Sequence, residues 1–367
     1  MAVVGIVLAM TSTSLVAIAD EIAVPEEAKR IQLAIDAASD GDTILVSPGT
    51  YFEAIDFLGK QIVIKSIAGP SKTILDATDQ RSPAVRFTSS EGRGSVLEGF
   101  TIRGGTGEES WHGPMESIGG GLLVLASSPI ISNCIFRDNL AGSCGGAVYV
   151  GGDSGLEMRQ CTFDRNAAEK GGAIFSAQST PQLIDCRFNS NAAEYAGGAI
   201  YNDHQTNALL QRCSFRENFA TYNGGGIYNY QSDVDMTDCL FARNAATYKG
   251  GAIYLAFRSE LFQKGTRYMT LQDDVAGTGS LMLNPSAPRG ACCLSGACIV
   301  VEEEPCESAG GLWQGRDSIC QSKEPMNCPA PLAADLNRDG IVDVRDMAMV
   351  MALWGTKDEV QGSDSGP

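Results

Sequence analysis

The chain is 367 residues long, with 42 glycines, 12 cysteines and a formal charge of −17. Such acidity excludes a nucleic-acid binder, which needs a basic face, and suits calcium binding or simple solubility. The length allows about one to three domains, and the glycine content fits a turn-dense array better than an α/β enzyme.

Residues 1–19 are apolar and end in Ala17-Ile18-Ala19 before Asp20, the A-x-A form of a signal-peptidase site, although no Lys or Arg precedes the apolar run. A signal peptide over 1–19 predicts a secreted or cell-surface protein. Thr11 to Ser14 interrupts the run, which argues against a transmembrane anchor.

Over residues 20–39 the spacing turns helical. Ala28, Ile31, Ile35 and Ala38 fall on one helical face, with Pro25 tolerated in the first turn. A short amphipathic helix here would cover the open end of a strand array. From Asp40 the pattern becomes turn, strand, turn, with further short strands over 61–66, 73–76, 84–88 and 96–103. Gly104 to Ser117, containing Trp111 and His112, is the longest excursion.

From Gly119 to Phe257 one pattern recurs. Gly-Gly pairs start at Gly119, Gly145, Gly171, Gly197, Gly224 and Gly250, a period of 26 with a single 27. Each unit continues with Cys-x-Phe-x-x-Asn, giving columns Cys134, Cys161, Cys186, Cys213, Cys239; Phe136, Phe163, Phe188, Phe215, Phe241; and Asn139, Asn166, Asn191, Asn218, Asn244. A fixed period of this size marks a solenoid. The segments between turns are too short for helices, and Leu183 to Phe188 largely alternates as a half-buried strand does. The fold class expected is therefore all-β: a parallel β-helix solenoid over residues 40–289. Like residues stack over like, with phenylalanines inside, an asparagine amide ladder at a bend, and column cysteines as buried free thiols.

These GGA[IV] and FxxN repeats resemble those of polymorphic outer-membrane proteins and, more broadly, the right-handed parallel β-helix (pectin-lyase-like) superfamily. The opening string around Ala34 to Tyr51 resembles the first coils of the same superfamily. The resemblance implies a right-handed, exported solenoid, often adhesive. The chain departs from the outer-membrane family in having no C-terminal run of amphipathic strands for a barrel.

After Phe257 the repeat stops, and residues 258–289 read as a closing strand pair followed by a linker. Residues 290–328 hold Cys292, Cys293, Cys298, Cys306, Cys320 and Cys328 around little apolar material. An exported, coreless segment of this kind is expected to be stapled by disulfides, in a pairing the spacing leaves open. Without a CxxC pair or nearby His, zinc is not expected. Over residues 329–358, Asp335, Asn337, Asp339, the Ile341 carbonyl, Asp343 and Asp346 occupy the ligand positions of a calcium loop, with Gly340 at its turn. Asp346 stands where an EF-hand has a bidentate Glu. The loop with its single following helix resembles one type I dockerin repeat; a dockerin carries two. The resemblance implies calcium as cofactor and a cohesin-like or other cell-surface partner. Residues 359–367 read as a disordered tail.

Catalysis on the solenoid needs converging carboxylates, or carboxylates with Arg or Lys. Asp203-His204, in the 27-residue coil, is the best lone candidate, and Asp185, Arg212 and Asp238 are the other group whose convergence would favour an enzyme. Elsewhere the charged columns alternate in sign, as a solvated face does. Tyr195, Tyr222 and Tyr248 recur just before Gly-Gly, and Tyr149, Phe175, Tyr201, Tyr228 and Tyr254 just after; one file must lie outward and is a candidate glycan surface. The sequence thus predicts a monomeric, secreted, non-catalytic scaffold that is adhesive or polysaccharide-binding. A polysaccharide lyase or glycoside hydrolase of the same fold is the alternative.

Overall fold

The computed structural model describes residues 19–110, 113–269, 274–283, 289–294, 297–302 and 312–313. Residues 1–18 of the segment 1–19 read as a signal peptide, most of the cysteine-rich segment, and the residues read as a calcium loop and tail lie outside these. Parallel strands stack into an 11-stranded sheet A, 9-stranded sheets B and C, and a 4-stranded sheet D. One coil shows the path: Gln182–Ile184 in sheet A, Arg187–Asn189 in B, Ala192–Ala196 in D, Ile200–Asp203 in C, then back to A at Asn207–Gln211.

Register follows the sequence repeat. Phe136 pairs with Phe163, Phe163 with Phe188, Phe188 with Phe215, and Phe215 with Phe241. Their rings form one internal file with centroids 5.2, 4.6, 4.7 and 4.5 Å apart, continued by Tyr268 at 5.3 Å. Beside it the column cysteines are buried and unpaired. Burial pushes the Cys134 thiol up to about 12, so it packs as an apolar group. At the bend after sheet B, each asparagine donates Nδ2 to the Oδ1 of the next, from Asn139 through Asn166, Asn191 and Asn218 to Asn244, at 2.9–3.1 Å.

The corners have a chemistry of their own. Asn133, Gln160, Asp185, Arg212 and Asp238 precede sheet B with φ between 49 and 55°, and Asp138, Arg165, Ser190, Glu217 and Arg243 follow it with φ between 52 and 58°. Left-handed backbone without glycine costs energy. It persists because every rung supplies the same corner bonds, such as Asp185 N–H to Gln211 O at 2.9 Å. The sharp entry to sheet C does require glycine. Gly197 has φ +68°, and a Cβ on Gly198 would meet the Gly225 oxygen at 2.2 Å.

Several boundaries differ from expectation. Glu21–Val24, read as part of a helical segment, is a strand paired with Thr43–Val46, so the stack begins before residue 40. The helix is confined to Ile31–Ala37, where Ile31, Ala34 and Ile35 are buried. The excursion before the repeats is an antiparallel hairpin, Glu108–Ser110 with Gly113–Ile118. Where a closing pair over 268–272 and 280–283 was expected, three strands, Arg267–Met269, Val275–Gly277 and Ser280–Leu283, extend sheets B, C and A as one more coil. Residues Arg289–Leu294, Ala297–Glu302 and Leu312–Trp313 form a small antiparallel sheet within the cysteine-rich segment. Among the described residues, no helix is long and apolar enough to cross a membrane.

Candidate functional site

Two aromatic files meet at the Gly-Gly corner between sheets D and C. On the sheet C side, Tyr149, Phe175, Tyr201, Tyr228 and Tyr254 stack outside the core with centroids 5.4, 5.2, 4.7 and 5.4 Å apart. Their inward neighbours on the strands (Val148, Ile174, Ile200, Ile227, Ile253) fill the core instead, as period-two alternation requires. On the sheet D side, Tyr195 and Tyr222 are 5.2 Å apart, and Tyr222 and Tyr248 are 5.3 Å apart.

The corner is re-entrant. Phe175, Tyr201 and Tyr228 face away from the core yet are buried, packed with Ala196 and Ala256 into a cluster that includes the edge of Cys144. Outward-facing residues can bury one another this way only where the surface folds in on itself. Tyr195, Tyr222 and Tyr248 stand on its rim, 38, 43 and 66% exposed. Between the files runs the column Cys144, Lys170, Ala196, Asn223, Lys249. Lys170 Nζ sits 5.8 Å from the Tyr195 ring centroid.

Burial raises the phenol pKa values at this corner, that of Tyr228 to about 12, with neighbouring Tyr195 adding to the effect. Burial likewise raises Tyr149 and Tyr201. These hydroxyls are neutral hydrogen-bonding groups at any physiological pH. Along the rim Tyr195 is tilted 43° from Tyr222, whereas Tyr222 and Tyr248 stack and cover one another's faces. Tyr222 and Tyr248 are only 7° from parallel, and no ring among the described residues lies beyond Tyr248. The rim therefore offers ring edges and hydroxyls along its length, and a free ring face at Tyr248.

The sequence candidates fall as follows. Asp203 lies two strand positions beyond Tyr201 in sheet C, and its Oδ1 is 2.7 Å from His204 Nδ1. His204 has φ 29°, and its ring lies 5.2 Å from that of Tyr230, tilted by 58°. Asp185 and Arg212 converge as a bidentate pair at 2.7 and 2.8 Å, and the Asp238 charge also bears on Arg212. The file runs along an exposed ridge, and the Arg212 hydrogen bond lowers the Asp185 pKa, making it a weak base. Asp138–Arg165 and Glu217–Arg243 are similar rung-to-rung pairs. Exposed pairs of this kind tie coils together at under about 1 kcal/mol each. No group of three or more metal-ligating side chains occurs among the described residues; Asp335, Asn337, Asp339, Ile341, Asp343 and Asp346 lie outside them.

One polar column escaped the sequence reading. At the return from sheet C to sheet A, Ser127, Ser154, Ser179, Thr206, Ser232 and Ser259 are buried. The Ser154, Ser232 and Ser259 hydroxyls accept backbone N–H bonds across coils, from Ser127, Thr206 and Ser232 respectively. A hydroxyl residue every 25–27 positions was the available signal.

A family comparison agrees with the fold over the central coils. A family model described as "Right handed beta helix region" matches residues 89–265. Among solved structures, the chain is similar to pectin methylesterase from carrot, at 13% identity and TM-score 0.48, over 75% of this chain and 91% of that one. It is also similar to pectin methylesterase PemA from Erwinia chrysanthemi, at 11% identity and TM-score 0.39, over 88% and 96%. No curated protein matches significantly. Stacked parallel sheets and in-register files, with the family model over residues 89–265, give this chain a right-handed parallel β-helix fold.

Proposed function

We propose that the chain is a secreted or cell-surface scaffold that binds an extended polysaccharide along the corner between sheets D and C, without cleaving it. The observation that carries this reading is the exposed file Tyr195, Tyr222, Tyr248, with a step of 5.2–5.3 Å. That step is comparable to the rise of one sugar residue in an extended β-linked chain. Phenol hydroxyls suit a hydroxylated polymer, and the uncovered face of Tyr248 suits the apolar face of a sugar ring. Asp335, Asn337, Asp339, the Ile341 carbonyl, Asp343 and Asp346 would hold calcium in a dockerin-like loop that attaches the scaffold to a cohesin-like or other surface partner.

One observation favours a lyase or hydrolase instead: the Asp203–His204 contact on the same face of the solenoid. Affinity electrophoresis of the full chain through gels containing neutral and uronate polysaccharides separates the readings when run beside product analysis, with and without chelator. Retardation without new reducing ends or unsaturated products supports the scaffold. Products from wild type that disappear in His204→Ala would establish the enzyme.

A further inference from the structure

Beyond the corner, where sheet C returns to sheet A, three coils border an open surface cavity of about 450 Å3 lined by Gln205, Asn207, Gln231, Ser232, Asp233 and Arg258. That volume lies in the range of small-ligand sites. Two of the lining groups are already engaged: Ser232 Oγ donates to the Tyr230 carbonyl at 2.9 Å, and Asp233 Oδ1 accepts the Glu260 N–H at 2.9 Å. The side chains of Gln205, Asn207, Gln231 and Arg258 make no hydrogen bond or ion pair among the described residues. Arg258 contrasts here with Arg165, Arg212 and Arg243, each of which pairs with a carboxylate one rung away.

A third aromatic file adjoins the cavity-lining residues along the chain. His204, Tyr230 and Phe257 immediately precede Gln205, Gln231 and Arg258 in the chain, and their rings are 5.2 and 5.2 Å apart. Phe257, at the end of the file, is 62% exposed. The backbone is unusual at the same rungs: His204 and Gln205, like Phe257 and Arg258, are consecutive left-handed residues, with φ 29, 59, 43 and 57°. Two such residues in succession are costly, and here they set a ring and a planar polar group side by side.

Carboxamides and guanidinium are planar groups with paired polar atoms that match the vicinal hydroxyls of a sugar. An adjacent exposed ring matches its C–H face. The charge of the lining decides which sugar. Asp233 shares the cavity with Arg258, and the chain carries a formal charge of −17. Both disfavour a polyanion and leave a neutral polyhydroxyl ligand as the best match.

We propose that this cavity is a second sugar site that grips one neutral hexose or pentose residue. Gln205, Gln231 and Arg258 hold its vicinal hydroxyls, and Phe257 lies against its ring. The proposal rests in part on the glycan reading above and extends it, since the cavity supplies the hydrogen-bond selectivity that the stacked corner files lack.

The test is calorimetric titration of the full chain with cellohexaose, xylohexaose and mannohexaose as neutral probes and hexagalacturonate as the acidic one. Wild type, Arg258→Gln, Gln231→Ala and Tyr248→Ala are compared, with a melting curve for each. At least one neutral hexamer is expected to bind, and Arg258→Gln and Gln231→Ala are each expected to weaken it about tenfold at unchanged melting temperature. Gln231→Ala carries the test if Arg258→Gln perturbs the turn. Neutral binding lost in Tyr248→Ala but unchanged in both cavity variants would overturn the cavity site and leave the corner reading standing. Preference for hexagalacturonate would overturn the neutral assignment, and absence of binding to every probe would overturn both.

Discussion

Asn191 makes four side-chain hydrogen bonds inside the stack: it accepts from the Asn166 N–H and Nδ2, and donates to the Phe163 carbonyl and Asn218 Oδ1. Removing it strands the Asn166 donors and the Phe163 carbonyl on the coil below, all buried. Asn191→Ala is therefore expected to lose about 2–4 kcal/mol of stability, read as a drop in thermal or denaturant midpoint. Asn244 ends the ladder, so Asn244→Ala should cost less.

Glu157 gives a pH-dependent counterpart. Burial favours its neutral form, but hydrogen bonds from Arg159 and Arg93, at 2.5 and 2.6 Å, outweigh that and hold its pKa below the ordinary 4.5. A depressed carboxylate stabilises the fold above its ordinary pKa, and that contribution disappears as pH falls through the lowered value. Wild type should accordingly be more stable than Glu157→Gln at pH 7, with the gap closing in acid. Melting curves of the two proteins from pH 7 to pH 3 check the sign.

At this scale the repeating columns were legible because identity and spacing recur together. Phe136 to Phe241 and Asn139 to Asn244 could be placed without coordinates. The left-handed corners were not, since polar residues such as Asp185 and Arg212 read as an ordinary solvated face. The hydroxyl column from Ser127 to Ser259 was hidden by the commonness of Ser and Thr in turns.

Each coil depends on a glycine pair for different reasons at its two members. The first, such as Gly197, takes the left-handed turn; the second, such as Gly198, passes so close to the coils beside it that a Cβ would meet backbone oxygens of Gly225 and Phe219 at 2.2 and 2.5 Å. Backbone cannot yield as a flexible side chain can. Gly198→Ala should thus open sheet C from sheet D locally and lower the unfolding midpoint by more than Asn191→Ala does. Conversely, Glu194→Ala on an exposed sheet D position should be near neutral. Elements at the ends were the least readable. Glu21–Val24 and Val275–Gly277 are strands because a neighbouring coil pairs with them, and pairing across coils leaves little trace in a local pattern.

For the whole molecule, stacking like over like makes a surface as periodic as the core. Side chains recur at the strand spacing on the outside as they do on the inside, so a chain-like ligand of similar repeat can meet the same group at every step. The candidate site was half legible for the same reason: Tyr195, Tyr222 and Tyr248 could be picked out as a file. Its re-entrant shape could not, because it depends on the fourth sheet that separates B from C. The cavity at Arg258 was likewise invisible, being assembled from three coils.

The central claim is that this periodic exterior reads an extended neutral glycan rung by rung, and it is tested most directly by measuring affinity against oligosaccharide length. For a neutral oligosaccharide series, the dissociation constant should fall steadily as residues are added and level off once the ligand spans the aromatic files, with Tyr248→Ala flattening the trend. A monosaccharide bound as tightly as the longest oligomer, or no length dependence in wild type, would contradict it.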